Sequence, residues 1–158
     1  MDLGNALEKA GDLRDALATE VENARRERLL LRDLDAGGLF ARAAQRGAFL
    51  AEAARIQREL AVSISRAAGT LGPTEVTLER LRKDSPRQGE ALSRIFSDIR
   101  ALAGALQEID KLNLQLAGRA LACVRGYVEA LRPAPRAYDR RGARGPAAPV
   151  LAMVSSKG

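Results

Sequence analysis

Between Leu92 and Tyr127 the apolar residues recur in alternating steps of three and four: Leu92, Ile95, Ile99, Leu102, Leu106, Ile109, then Asn113, Leu116, Ala120, Cys123 and Tyr127. That spacing lays one stripe along an α-helix and requires partner helices to cover it. The stripe alone implies a helical bundle. One heptad position further round, Ser93, Arg100 and Gln107 are polar, whereas Leu114, Leu121 and Val128 are apolar. A face that belongs in water along the first half of the helix does not belong there along the second.

Composition narrows the chemistry. The 158 residues are 46% hydrophobic but only 3% aromatic and are rich in Ala, Leu, Arg and Glu, the profile of long helices. With no histidine and one cysteine, the chain cannot assemble a zinc site, a Ser/His/Asp or Cys/His nucleophile pair or a disulfide framework by itself. The expectation is therefore no enzyme, no cofactor and no metal. The opening Met1-Asp2-Leu3-Gly4-Asn5-Ala6-Leu7-Glu8 lacks a basic segment followed by an apolar one, and no run of about 18 apolar residues occurs, so the expected location is the cytoplasm.

The net charge of +6 is not spread evenly. From Arg132 to Gly158 six basic residues face one acid, while residues 1–131 hold 20 basic and 19 acidic residues. The body is a mixed-charge surface, and only the tail is basic. With a single aromatic in that tail there is no ladder of stacking platforms for single-stranded nucleic acid.

Punctuation places three long helices. The first starts near Asp2, carries Leu3, Leu7, Ala10, Leu13, Leu17, Val21 and Ala24 at helical spacing, and should end near Arg32. Asp33-Leu34-Asp35-Ala36-Gly37-Gly38 supplies two candidate N-caps and two glycines for a reversal. The second helix presents Leu39, Ala43, Gly47, Leu50, Ala54, Leu60, Ile64 and Ala67 and stops at Gly69-Thr70-Leu71-Gly72-Pro73. A short helical turn over Thr77–Arg82 leads to Ser85-Pro86-Arg87-Gln88, which has the residues of a capping box with proline at the first helical position. From Pro86 to about Arg132 the third helix would reach roughly 70 Å. Pro133, Pro135, Pro146 and Pro149, with Gly142 and Gly145, make 133–158 an expected flexible basic tail beyond a folded domain of 1–132.

Short connections favour an all-α, coiled-coil-like, antiparallel three-helix bundle. A third helix longer than its partners should overhang them at its C-terminal end, leaving Leu114, Ala117, Leu121, Val124, Val128 and Leu131 as bare apolar surface of the kind that binds partners. Ala117, Val124 and Leu131 could equally flank a wide core face. Asn113 interrupts the seam with an amide that either fixes register or meets a partner. Cys123, on the same seam, reads as a small core hydrophobe. Gly126 marks either a close approach or a tolerated gap.

The order of a long helix, the Asp33-Leu34-Asp35 turn, Arg46 in the second helix, Asn113 in the third and the tail Tyr138-Asp139-x-x-Gly142 resembles the FlgN-type flagellar export chaperones. The more specific part is Leu112-Asn113 with Leu116, then Tyr127, Val128 and Leu131, and the Tyr-Asp-x-x-Gly tail. Family members often carry two asparagines three residues apart; here Asp110 stands at the first of these positions. The resemblance implies a chaperone that holds the C-terminal helices of hook–filament junction proteins and delivers them to the flagellar type III export gate. Asn113, Leu114, Ala117, Leu121, Val124, Val128 and Leu131 would meet the client. Tyr138, Asp139 and Gly142 would dock on the cytoplasmic domain of the membrane export-gate protein. Two other readings stay open: a coiled-coil structural or regulatory adaptor of the secretion ATPase, and a basic-tailed nucleic-acid accessory protein.

Overall fold

The computed structural model describes residues 2–69 and 77–132, and every regular element among them is helical. The order is α1 (Gly4–Asp33), α2 (Ala36–Ala68), α3 (Leu78–Asp84) and α4 (Pro86–Leu131). The chain divides into two compact units, Met1–Ala120 and Leu121–Gly158, each described below by itself.

In the first unit, α1 lays Ala10, Leu13, Leu17, Val21 and Ala24 of the predicted stripe into the core, with Ala6 buried beside them and Leu7 half-buried. Ala53, Ile56 and Leu60 come from α2, Leu81 from α3, and Leu92, Leu106 and Ile109 from α4. Burying each leucine or isoleucine removes enough apolar area to be worth about 2 kcal/mol, and the alanines let backbones approach. Cross-helix pairs fix directions. Asn5 donates to Ser63, Lys9 lies 3.8 Å from Glu59 and Arg46 bonds Glu20, so α1 and α2 run antiparallel. Leu3 meets Gln88 and Ala24 meets Asn113, so α1 and α4 run parallel.

The α1–α2 reversal is made by a leucine rather than by the glycines. Leu34 takes left-handed backbone angles (φ 53°, ψ 35°), its N–H and that of Asp35 donating back to the carbonyls of Leu31 and Leu30. That is a Schellman closure with a Cβ where glycine is usual, at a cost of about 1–2 kcal/mol. Of the two candidate caps, Asp35 is the one used: its Oδ1 accepts from the Gly38 N–H at 2.9 Å. Gly37 and Gly38 lie inside α2, and a Cβ on Gly38 would sit 2.6 Å from the capping carboxylate. Gly69 ends α2 in the left-handed region (φ 65°).

At the other junction, α3 is capped by Thr77, whose hydroxyl accepts from the Arg80 N–H, and runs two residues past its expected end. The Ser85 N–H donates to the Leu81 carbonyl at 2.9 Å. The Gln88 side chain turns to the chain's beginning, accepting from Leu3 N at 3.1 Å and donating to Asp2. Gly89 is buried against α3: a Cβ there would meet the Leu81 carbonyl oxygen at 2.7 Å and the Arg82 backbone at 2.8 Å. Only a residue without a side chain lets α3 fold down on the start of α4.

The buried face of α2 differs from the expected one in its first half, whereas Leu60, Ile64 and Ala67 pack on the core as expected. Ala43, Gly47 and Leu50 are exposed, and the inward series is Leu39, Arg42, Arg46, Phe49, Ala53, Ile56, Leu60 and Ser63, again in steps of three and four. Two arginines occupy the seam, so an apolar template slides to the neighbouring face. They are tolerated because carboxylates on other helices meet them, as the next section describes.

Candidate functional site

The seam of α4 is buried as far as Asn113 and no further. Leu92, Leu106, Ile109 and Asn113 are buried, Ile95, Ile99 and Leu102 are half-buried, and Leu116 is already exposed. Asn113 is 3% exposed. Its Nδ2 donates to the Ala24 carbonyl at 2.8 Å, and its Oδ1 accepts from Arg28 Nε at 3.2 Å. All of the amide's dipole is thus turned toward α1, which fixes the register of the two helices. Of the seven residues assigned to a client face, Asn113 is buried, Ala117 is half-buried and the other five are exposed.

One turn earlier lies a polar cluster that the stripe analysis missed. Glu20 of α1 is 1% exposed and Arg42 of α2 is 5% exposed, and the two are ion-paired. Arg46 reaches Glu20 at 2.8 Å and also pairs with Asp110 of α4, so three helices share one network. Arg42 Nε lies 3.2 Å from Glu27 without an aligned hydrogen bond. Burial disfavours the charge on Arg46, but Asp110 and Glu20 outweigh it and raise its pKa above the ordinary value. Asp110, standing where the family often has asparagine, is therefore an internal partner of Arg46. The sequence signal was present: Glu20 lies three residues after Leu17 and four before Ala24, on the apolar stripe itself.

Beyond Asn113 the exposed apolar residues accumulate. In the first unit Leu112, Leu114 and Leu116 are exposed, Leu114 by 75%, and Ala117 is half-buried. In the second unit every residue from Leu121 to Arg132 is exposed, including Leu121, Val124, Tyr127, Val128 and Leu131, the last by 82%. Cys123, expected in the core, is exposed as well. A heptad stripe is a local property and says nothing of where its cover ends. Among the described residues, nothing lies within 4 Å of a Cβ built at Gly126. Tyr138, Asp139 and Gly142 fall outside the described residues.

The chain matches the FlgN protein family model over residues 5–145. It belongs to the FlgN family. The match takes in all of the described structure from Asn5 onward, and the family is one of flagellar export chaperones. No curated protein and no solved structure matches the chain. Among the described residues no group of histidine, cysteine, aspartate or glutamate could hold a metal ion, and no helix is long and apolar enough to cross a membrane. A groove of about 260 Å³ beside α1 and α2 is lined by Asn23, Glu27, Arg42 and Gln45, with Arg42 already met by two carboxylates.

Proposed function

We propose that this protein is an export chaperone that binds the C-terminal helices of flagellar hook–filament junction proteins and hands them to the type III export gate. The body is read as a three-helix bundle formed by α1, α2 and α4. The observation that carries the proposal is the exposure of Leu114, Leu121, Val124, Val128 and Leu131 at helical spacing on α4 in a member of a chaperone family. Terminal helices of a filament subunit cannot bury their own apolar faces before assembly, and a helix with uncovered apolar residues covers them in a coiled-coil-like contact. Ala117 lies among these residues and Asn113 holds the helix that presents them. The seam residue Tyr127, 69% exposed, joins the same contact.

Delivery is assigned to Tyr138, Asp139 and Gly142. A rigid aromatic ring flanked by Arg136, Arg140 and Arg141 suits a short docking motif for the cytoplasmic domain of the export-gate protein. The experiment is affinity capture of a hook–filament junction protein by the full chain, with Leu121→Asp, Val128→Asp and Tyr138→Ala variants. The first two should lose client binding by more than tenfold while melting unchanged, because both side chains are exposed. The third should keep the client and lose the gate domain. Capture of the secretion ATPase in place of the junction protein would replace this reading with that of an adaptor, and wild-type affinity in the two aspartate variants would remove the client face.

A further inference from the structure

The exposed apolar run coincides with the part of the chain that carries its net charge. Residues 1–110 hold 17 basic and 18 acidic residues, a balance of −1, whereas 111–158 hold nine basic and two acidic, a balance of +7. On α4 itself, Lys111 to Arg132 includes four basic residues, Lys111, Arg119, Arg125 and Arg132, against Glu129. None of these five enters an ion pair among the described residues, and all five are exposed. In the body, by contrast, Arg42, Arg46 and Arg55 are each met by carboxylates.

The spacing is regular. Arg125 and Arg132 are seven residues apart, and each follows a stripe residue, Leu121 or Val128, by four. Residues four apart are neighbours on a helix surface, so one edge of the apolar stripe is a cationic rail. Lys111 sits two heptads before Arg125. Glu129 follows Arg125 by four, the weaker order for an internal pair. The other edge carries Ala120, Cys123 and Tyr127 and no charge.

We infer that the occupant of this face is an amphipathic helix whose apolar stripe is bordered on one side by acidic residues at heptad spacing. This rests on the client-binding reading and specifies the partner's chemistry. Facing charges in a partly desolvated rim set partner choice and encounter rate more than raw affinity. A second copy of this chain brings the same cationic rail to the interface and is disfavoured by like charge. The chain's own residues 133–158, with five basic residues and one acid, are disfavoured for the same reason.

The test titrates two synthetic 21-residue amphipathic helices into the full chain by fluorescence anisotropy. They share one leucine heptad face and carry either glutamate or lysine along one border. The glutamate peptide should bind about tenfold more tightly at low salt, with the gap shrinking to about threefold or less at high salt. Arg125→Glu with Arg132→Glu, both exposed and checked by circular dichroism, should reverse the preference. Equal affinities, binding of neither peptide, an unchanged preference in the double variant, or a gap indifferent to salt would overturn the inference. So would tighter binding to anionic lipid vesicles than to the glutamate peptide, which would make the basic face a membrane contact. Capture of a junction protein by the chain alongside undiscriminated peptides would sink this inference and leave the chaperone reading standing.

Discussion

Asn113 of α4 donates to the carbonyl of Ala24 on α1 at 2.8 Å, and this bond marks the end of the buried seam. Both ends of the amide are used, since Arg28 donates to its oxygen. Asn113→Asp keeps an acceptor for Arg28 but sets a carboxylate against the Ala24 carbonyl, so it should destabilise more than Asn113→Ala. We expect the alanine variant to cost about 1–3 kcal/mol in urea unfolding. Equal midpoints for wild type and both variants would show that the amide contributes nothing to the fold.

Glu20 and Asp110 should respond differently although both meet Arg46. Glu20 is buried with Arg42, and removing it takes away that guanidinium's aligned hydrogen bonds and leaves it only Glu27 at 3.2 Å, so Glu20→Ala should cost about 3–5 kcal/mol. Asp110 is 39% exposed at its side chain, and water screens the loss; Asp110→Asn should cost under about 1 kcal/mol. Denaturation midpoints read both values, and a reversed order would mean that burial does not govern this network.

Two glycines of α4 give opposite signs. Gly89→Ala drives a Cβ to 2.7 Å from a backbone oxygen of α3, and the backbone cannot rotate away as a side chain would. A loss of about 1–3 kcal/mol is expected. Gly104→Ala meets nothing within 4 Å and removes a helix-weakening residue, so a gain of about 0.5–1 kcal/mol should follow. Thermal melts of the pair compare them directly.

Leu34→Gly should stabilise. The residue is exposed and holds φ 53°, where a Cβ is disfavoured, so glycine relieves about 1 kcal/mol after its own entropic cost. A lowered melting temperature would indicate that the Leu34 side chain makes up the difference.

Hydrogen exchange should change abruptly along α4. Amides up to Asn113 are backed by buried Leu106 and Ile109, whereas those from Leu121 onward carry exposed side chains throughout. The latter should exchange faster in the free protein and slow down on client binding. Uniform protection along α4 would show that its C-terminal part is already covered.

Helix positions were readable because caps and breakers act locally. Asp35, Gly69, Thr77 and Pro86 each stop or start a helix through their own backbone or side-chain chemistry, and α1 buries the stripe its spacing implies. The identity of the α4 residues that stay uncovered was half readable, in the switch from Ser93, Arg100 and Gln107 to Leu114, Leu121 and Val128. Three things needed the tertiary structure, since each depends on atoms distant in sequence. Arg42 and Arg46 could occupy the α2 seam only because Glu20 and Asp110 arrive from other helices. Gly89 mattered only once α3 lay upon it. Where the seam stopped being core within the first unit, with Asn113 buried and Leu116 exposed, was decided by cover from other helices, which a periodicity in one helix cannot contain.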